Sequence, residues 1–180
     1  MDFWSIHAEI KNEQFTDRFI DPEKWVDYCR KLPVSFEVAT EGQSEEGRPI
    51  LHLKWGSGQR PILLWSQMHG NEPTATLAIA DLFNILGSEK LPNELNEVVA
   101  QLHSNFTLHF VPMLNPDGAV RYQRRNAHNI DINRDAVKQA TAESRFFWNL
   151  VGEIEPEFGF HLHDQRNLFS AGHTDNPATI

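Results

Sequence analysis

Pro61-Ile62-Leu63-Leu64-Trp65, followed by Ser66 to Met68, His69-Gly70-Asn71-Glu72 and Pro73 through Leu86, is the stretch that decides the fold. Its first five residues are apolar in succession rather than in alternation, as in a strand covered on both faces and placed inside a sheet. From Pro73 onward, Ala75, Leu77, Ala78, Ile79, Leu82, Phe83 and Leu86 fall at helical spacing, and proline is accepted in a first helical turn. A buried strand therefore runs into a helix across a short polar connection. Open α/β sheets place their ligands at such a connection, beyond the carboxyl end of a strand.

Working outward, Asp21-Pro22 caps and opens a short helix that Pro33 stops. Val34 to Thr40 and Pro49 to Trp55 alternate apolar with polar side chains around the Gly- and Glu-rich stretch 41–47, predicting two paired strands. Downstream, 92–102 reads as a helix and 106–114 as a strand closed by the turn-forming Asn115-Pro116-Asp117-Gly118. Arg121 to Arg134 is polar and aperiodic, 136–154 is helical, and Phe158 to His163 is a last short strand set off by Pro156. Strands and helices alternate from residue 60, the pattern of an α/β layered domain. Residues 1–46 form a helix-and-strand lead-in, and 47–180 form the main domain without an internal repeat.

At 180 residues the chain suffices for one domain with a real core. Sixteen Lys and Arg against 25 Asp and Glu give a formal charge of -9, which repels phosphate backbones and argues against a nucleic-acid partner. No run approaches the ~20 apolar residues of a membrane span. Met1-Asp2-Phe3-Trp4 lacks the basic start of a secretory signal, so a cytoplasmic chain is expected. The single cysteine, Cys29, cannot form an internal disulfide.

Three segments carry chemistry. An imidazole and a carboxylate three residues apart, His69 and Glu72, can converge on one zinc ion, with Gly70 letting the backbone bend between them. On its own the same pattern is better read as an acid opening a helix, with His69 a hydrogen-bonded loop residue. Arg124 through Asp135 sets arginines around an Asn- and Asp-rich loop. Guanidinium groups grip carboxylates in two places at once, and they also decorate ordinary surface loops. His161 and His163 would share one face of a strand and could approach one site, or could be ordinary strand-end residues. His7, His52, His103, His109, His128 and His173 give no comparable signal.

Together these segments resemble the zinc carboxypeptidases, the carboxypeptidase A-like metallopeptidases. The likeness rests on HGNE at 69–72, NPDG at 115–118, R-x-N at 124–126, D-x-N-R at 131–134 and a histidine ending a later strand, in family order across about residues 47–165. It implies a mixed β-sheet with helices on both faces and one zinc ion held by His69, Glu72 and, at the strand end, His163 in preference to His161. It further implies that Asp131 bonds the first zinc histidine, that Arg124 polarises the scissile carbonyl, and that Asn133 and Arg134 grip the substrate's terminal carboxylate. Such a carboxylate fixes the tautomer of a metal-bound histidine.

The implied activity is hydrolysis of a C-terminal peptide bond by activated water, with a peptide or a small acylated amino acid as substrate. No residue here matches the family's general-base glutamate, and residues 166–180 contain no glutamate. The expectation is therefore the N-terminal portion of a catalytic domain, incomplete at its C-terminus. Asp135 also stands where the family more usually has a second asparagine. Two alternatives are an N-acyl amino acid amidohydrolase, similar to succinylglutamate desuccinylase and aspartoacylase at HGNE and D-x-N-R, and a noncatalytic zinc- and peptide-binding fragment. Oligomeric state is not legible.

Overall fold

A computed structural model describes residues 3–88 and 90–164. Among these residues six α-helices, five strands and a 3-10 turn (Ile132–Arg134, between α5 and α6) follow in the order α1 (Phe3–Ile10), α2 (Pro22–Arg30), β1 (Phe36–Gln43), β2 (Pro49–Trp55), β3 (Arg60–Trp65), α3 (Thr74–Leu86), α4 (Asn93–Asn105), β4 (Phe106–Val111), α5 (Pro116–Val120), α6 (Ala142–Ile154) and β5 (Phe158–His161). The strands form one sheet in the order β1-β2-β4-β3-β5. β1, β2 and β4 are antiparallel, while β3 runs parallel to both β4 and β5. The sheet is mixed, as expected, and β3 sits inside it.

Side-chain alternation divides the core between two faces. Leu51, Leu53 and Trp55 of β2 and Leu108 and Phe110 of β4 pack with Trp25 and Val26 of α2 and Ile79 and Phe83 of α3. Ile50, Leu63 and Val111 point the other way, against Phe147 and Leu150 of α6. Helices thus cover both faces. The lead-in contributes α2 to the first layer and β1 to the sheet edge, where it pairs with β2 from Phe36↔Trp55 to Gln43↔Pro49. No helix among the described residues is long and apolar enough to cross a membrane.

Several boundaries differ from the sequence reading, each for a local reason. β4 stops at Val111, and NPDG opens a short helix in place of a simple turn, because Asn115 caps α5 by accepting from the Gly118 N–H at 2.8 Å. α6 begins at Ala142, not at 136. The Asp135 carboxylate takes the Ala140 and Thr141 N–H groups at 3.0 and 2.9 Å, Gln139 adopts φ 48°, and Thr141 becomes the N-cap. A side chain that bonds nearby backbone in this way competes with helix formation. β5 ends at His161, so His163 lies two residues past the strand. Helix α1 has no counterpart in the sequence reading. β3 is less enclosed than its apolar run suggests: Leu63 is buried, but Ile62, Leu64 and Trp65 are only partly so, beside a β5 whose Phe158 and Phe160 are about half exposed.

Candidate metal centre

The connection after β3 is built tightly. Gln67 is buried at φ 47°, and its carboxamide donates to the Gly70 carbonyl at 2.9 Å while accepting from the Thr76 hydroxyl at 3.0 Å. Gly70 has no alternative, since a Cβ there would lie 2.0 Å from the Gly118 carbonyl carbon. HGNE and NPDG therefore meet through their glycines. Asn115 adds a second link, donating to the Met68 carbonyl at 3.2 Å. Asp117, fully buried, takes the Ser44 hydroxyl, the Glu46 N–H and the Arg48 guanidinium, which fastens loop 44–48 beneath the site.

On this base His69 and Glu72 are buried side by side, with Nδ1 3.0 Å from Oε1. The other carboxylate oxygen of Glu72 lies 2.6 Å from Nδ1 of His163. Ligand atoms of the three residues all fall within 4.8 Å of one another. The rings of His161 and His163 are 3.9 Å apart, yet they do different things. His161 stacks on Trp65 at 4.8 Å, and its Nε2 is buried without a partner among the described residues, whereas His163 turns to Glu72.

Asp131 joins the centre from the other side. Its Oδ1 lies 3.0 Å from Nε2 of His69, and its Oδ2 accepts from Nε of Arg124 at 3.0 Å. Arg124 also reaches Glu72 at 3.4 Å. Burial pushes the Glu72 carboxyl up, but hydrogen bonds from His163 and His69 outweigh it and hold the group well below the usual carboxylate range. Asp131 is lowered by the same competition, with burial opposed by His69 and Arg124. His161 is pushed down to about 4 by burial and by its neighbours His163 and His69.

This donor set fits a divalent cation. Both ring nitrogens of His69 face carboxylate oxygens, yet a neutral imidazole carries one N–H. A cation between Nδ1 and Glu72 resolves that conflict, leaving the N–H at Nε2 for Asp131. Two imidazoles and one carboxylate are a catalytic zinc ligand set.

The arginine and asparagine residues fall into two groups. Asn126 is buried as a loop builder, accepting from the His128 and Ile130 N–H groups and donating to the buried Glu143 carboxylate at 3.1 Å. Arg134 is exposed at the end of the 3-10 turn Ile132–Arg134, and its guanidinium donates to the Asn133 carbonyl at 3.2 Å. Asn133 is partly buried, and its N–H donates to Asp131 Oδ1. The structure thus gathers His69, Glu72, His163, Asp131 and Arg124 at one centre. Sequence reasoning passed over Gln67, which has no local signature, and the contacts of Asp164 with Thr74 at 2.8 to 3.4 Å, which follow from a fold that brings residues 90 positions apart together.

Fold and site define a mixed α/β domain with a His-Glu-His cluster able to hold a metal ion beyond the carboxyl ends of its parallel strands. The family model for zinc carboxypeptidases, peptidase M14, matches residues 23–170, and the chain belongs to that family. The match reaches further toward the N-terminus than the motifs alone. The probable carboxypeptidase 2 of Trichophyton verrucosum is 30% identical over 145 residues, covering 75% of this chain and 26% of that protein. The chain thus spans about a quarter of the length of the curated relatives it matches. A metallo-carboxypeptidase structure from Pseudomonas aeruginosa superposes with a TM-score of 0.69 at 22% identity, over 79% of this chain and 38% of that one. Carboxypeptidase A from Helicoverpa armigera gives 0.63 at 20% identity, over 90% and 51%. These two likenesses concern the fold.

Proposed function

We propose that this chain supplies the metal-holding and carboxylate-gripping part of a metallo-carboxypeptidase that releases the C-terminal residue of a peptide. The observation that carries the reading is the convergence of His69, Glu72 and His163 with Arg124 and Asp131 at one centre. His69, Glu72 and His163 would hold one zinc ion, which supplies Lewis-acid polarisation of a carbonyl and lowers the pKa of water. Asp131 keeps the His69 proton on Nε2, which leaves Nδ1 as a ligand. It also anchors Arg124 through Nε, so the guanidinium is preorganised beside the metal position to oppose negative charge developing on the substrate carbonyl oxygen. Arg134, exposed and close along the chain, grips the substrate's terminal carboxylate together with Asn133.

The test is release of a C-terminal amino acid from matched free-acid and amidated peptides by the zinc-loaded chain, with peptide binding measured in parallel. Preferential binding of the free acid over the amide is expected, and Arg134→Ala should raise Kd for the free acid by about tenfold or more. Equal handling of free acid and amide would remove the carboxylate grip. Release of the C-terminal residue by this chain would mean that a residue within it serves as the general base.

A further inference from the structure

Helix α3 opens at Thr74 after Pro73, which offers no side-chain acceptor to the first-turn N–H groups. The acceptor comes from the far end of the described chain. Asp164 takes the Thr74 N–H at 3.1 Å with Oδ1 and at 3.4 Å with Oδ2, and takes the Thr74 hydroxyl at 2.8 Å with Oδ2. A carboxylate at that position also suits the helix dipole.

The neighbours of these two residues give the contact its meaning. His163 precedes Asp164 and lies 2.6 Å from Glu72, which is two residues before Thr74. The β5–β3 ladder ends at His161↔Trp65, and one further main-chain bond, Leu162 N–H to the Trp65 carbonyl at 3.0 Å, follows it. His163 therefore stands beyond the sheet. Its placement relative to His69 and Glu72 needs an anchor on the other strand-to-helix connection, and the Asp164–Thr74 contact is such an anchor.

We propose that Asp164 is a positioning residue that clips the segment bearing His163 to the start of α3, and so sets the third metal ligand at its distance from His69 and Glu72. This rests on the metal assignment above. The clip joins the two segments through residues outside the proposed ligand set: Glu72 and His163 would hold the ion, while Thr74 and Asp164 tie together the segments that carry them. Asparagine retains an oxygen that can accept from Thr74, and alanine does not.

The proposal is tested by equilibrium zinc binding to the chain in competition with a chromophoric chelator. Cobalt(II) absorption reports ligand geometry, and thermal unfolding of the metal-free chain reports stability. Asp164→Ala should weaken zinc binding by about tenfold to a hundredfold, as losses of outer partners of metal ligands do, and should alter the cobalt spectrum. Asp164→Asn should restore affinity to within about threefold of the parent with the parent spectrum. Unchanged zinc affinity in Asp164→Ala, with only a lower melting temperature, would reduce the contact to an ordinary helix cap and overturn the proposal. If Asp164→Ala does not fold, Asp164→Leu decides: it removes both acceptor oxygens while keeping a branched side chain of similar shape, and zinc binding as tight as the parent's overturns the clip. His69→Ala is the control. Undiminished zinc binding in that variant overturns the metal assignment and the clip with it, whereas loss there together with full binding in Asp164→Ala overturns the clip alone.

Discussion

His69 is the residue on which the centre turns, because each of its nitrogens faces a different carboxylate. In the proposed metal assignment Glu72 is a ligand and Asp131 supports His69 from its other nitrogen, so the two acids have separate tasks despite similar distances. Replacing Asp131 with asparagine should weaken zinc binding by about ten- to a hundredfold while leaving the fold intact, as measured by chelator competition and circular dichroism. His161 and His163 differ in the same way. His163 faces Glu72 and His161 stacks on Trp65, so His163→Ala should abolish stoichiometric zinc and His161→Ala should retain it. Metal analysis of the two purified variants checks this, and the reverse result would exchange their roles.

Between elements, β2 and β4 are joined by an unusual pair. His52 is 4% exposed, its Nε2 lies 2.9 Å from Nδ1 of His109, and its Nδ1 is buried with no partner among the described residues. Burial pushes both rings down to about 4, aided at His52 by His109 and Lys54 and at His109 by Lys54. The folded values lie below the free value of about 6.5, so the native state favours neutral rings. Their contribution is complete above about pH 6.5 and is lost as pH falls toward 4. For the well-buried His52 this amounts to at most about 3 kcal/mol. Urea unfolding between about pH 7 and pH 4 should therefore show falling stability, and the paired replacement His52→Leu with His109→Leu should flatten much of the slope. An unchanged slope would place the acid sensitivity elsewhere. His161, shifted in the same direction, leaves a residual slope.

Across the whole molecule, the metal centre joins three segments far apart in sequence: the β3–α3 connection, the loop holding Asp131, and the chain past β5. A ligand that binds only where these meet stabilises the folded chain by mass action. Zinc at about a thousand times its Kd should add about 4 kcal/mol, seen as a rise in melting temperature that EDTA reverses. His163→Ala should show no such rise, and an equal rise in that variant would place the stabilising ion at another site.

The sequence alone determined the alternation of strand and helix around residues 61–86, because a buried strand and an amphipathic helix write their periods directly into neighbouring residues. It also determined the order of the motifs, and through their resemblance to a family it pointed to His69, Glu72, Arg124, Asp131 and His163, which the fold then brings together. Short-range competition was harder to read. Asp135 cancels a helical start at 136 through bonds to Ala140 and Thr141, and Asn115 turns an apparent turn into the cap of α5. Only the tertiary structure decided that Gly70 must be glycine because Gly118 lies against it, that His161 at the end of β5 stacks on Trp65 while His163 beyond it turns to Glu72, and that Asp164 serves Thr74. Each of these depends on contacts between residues tens of positions apart or on where a ladder stops. Local periodicity carries no record of such contacts, because they exist only once the sheet has brought the strand ends together.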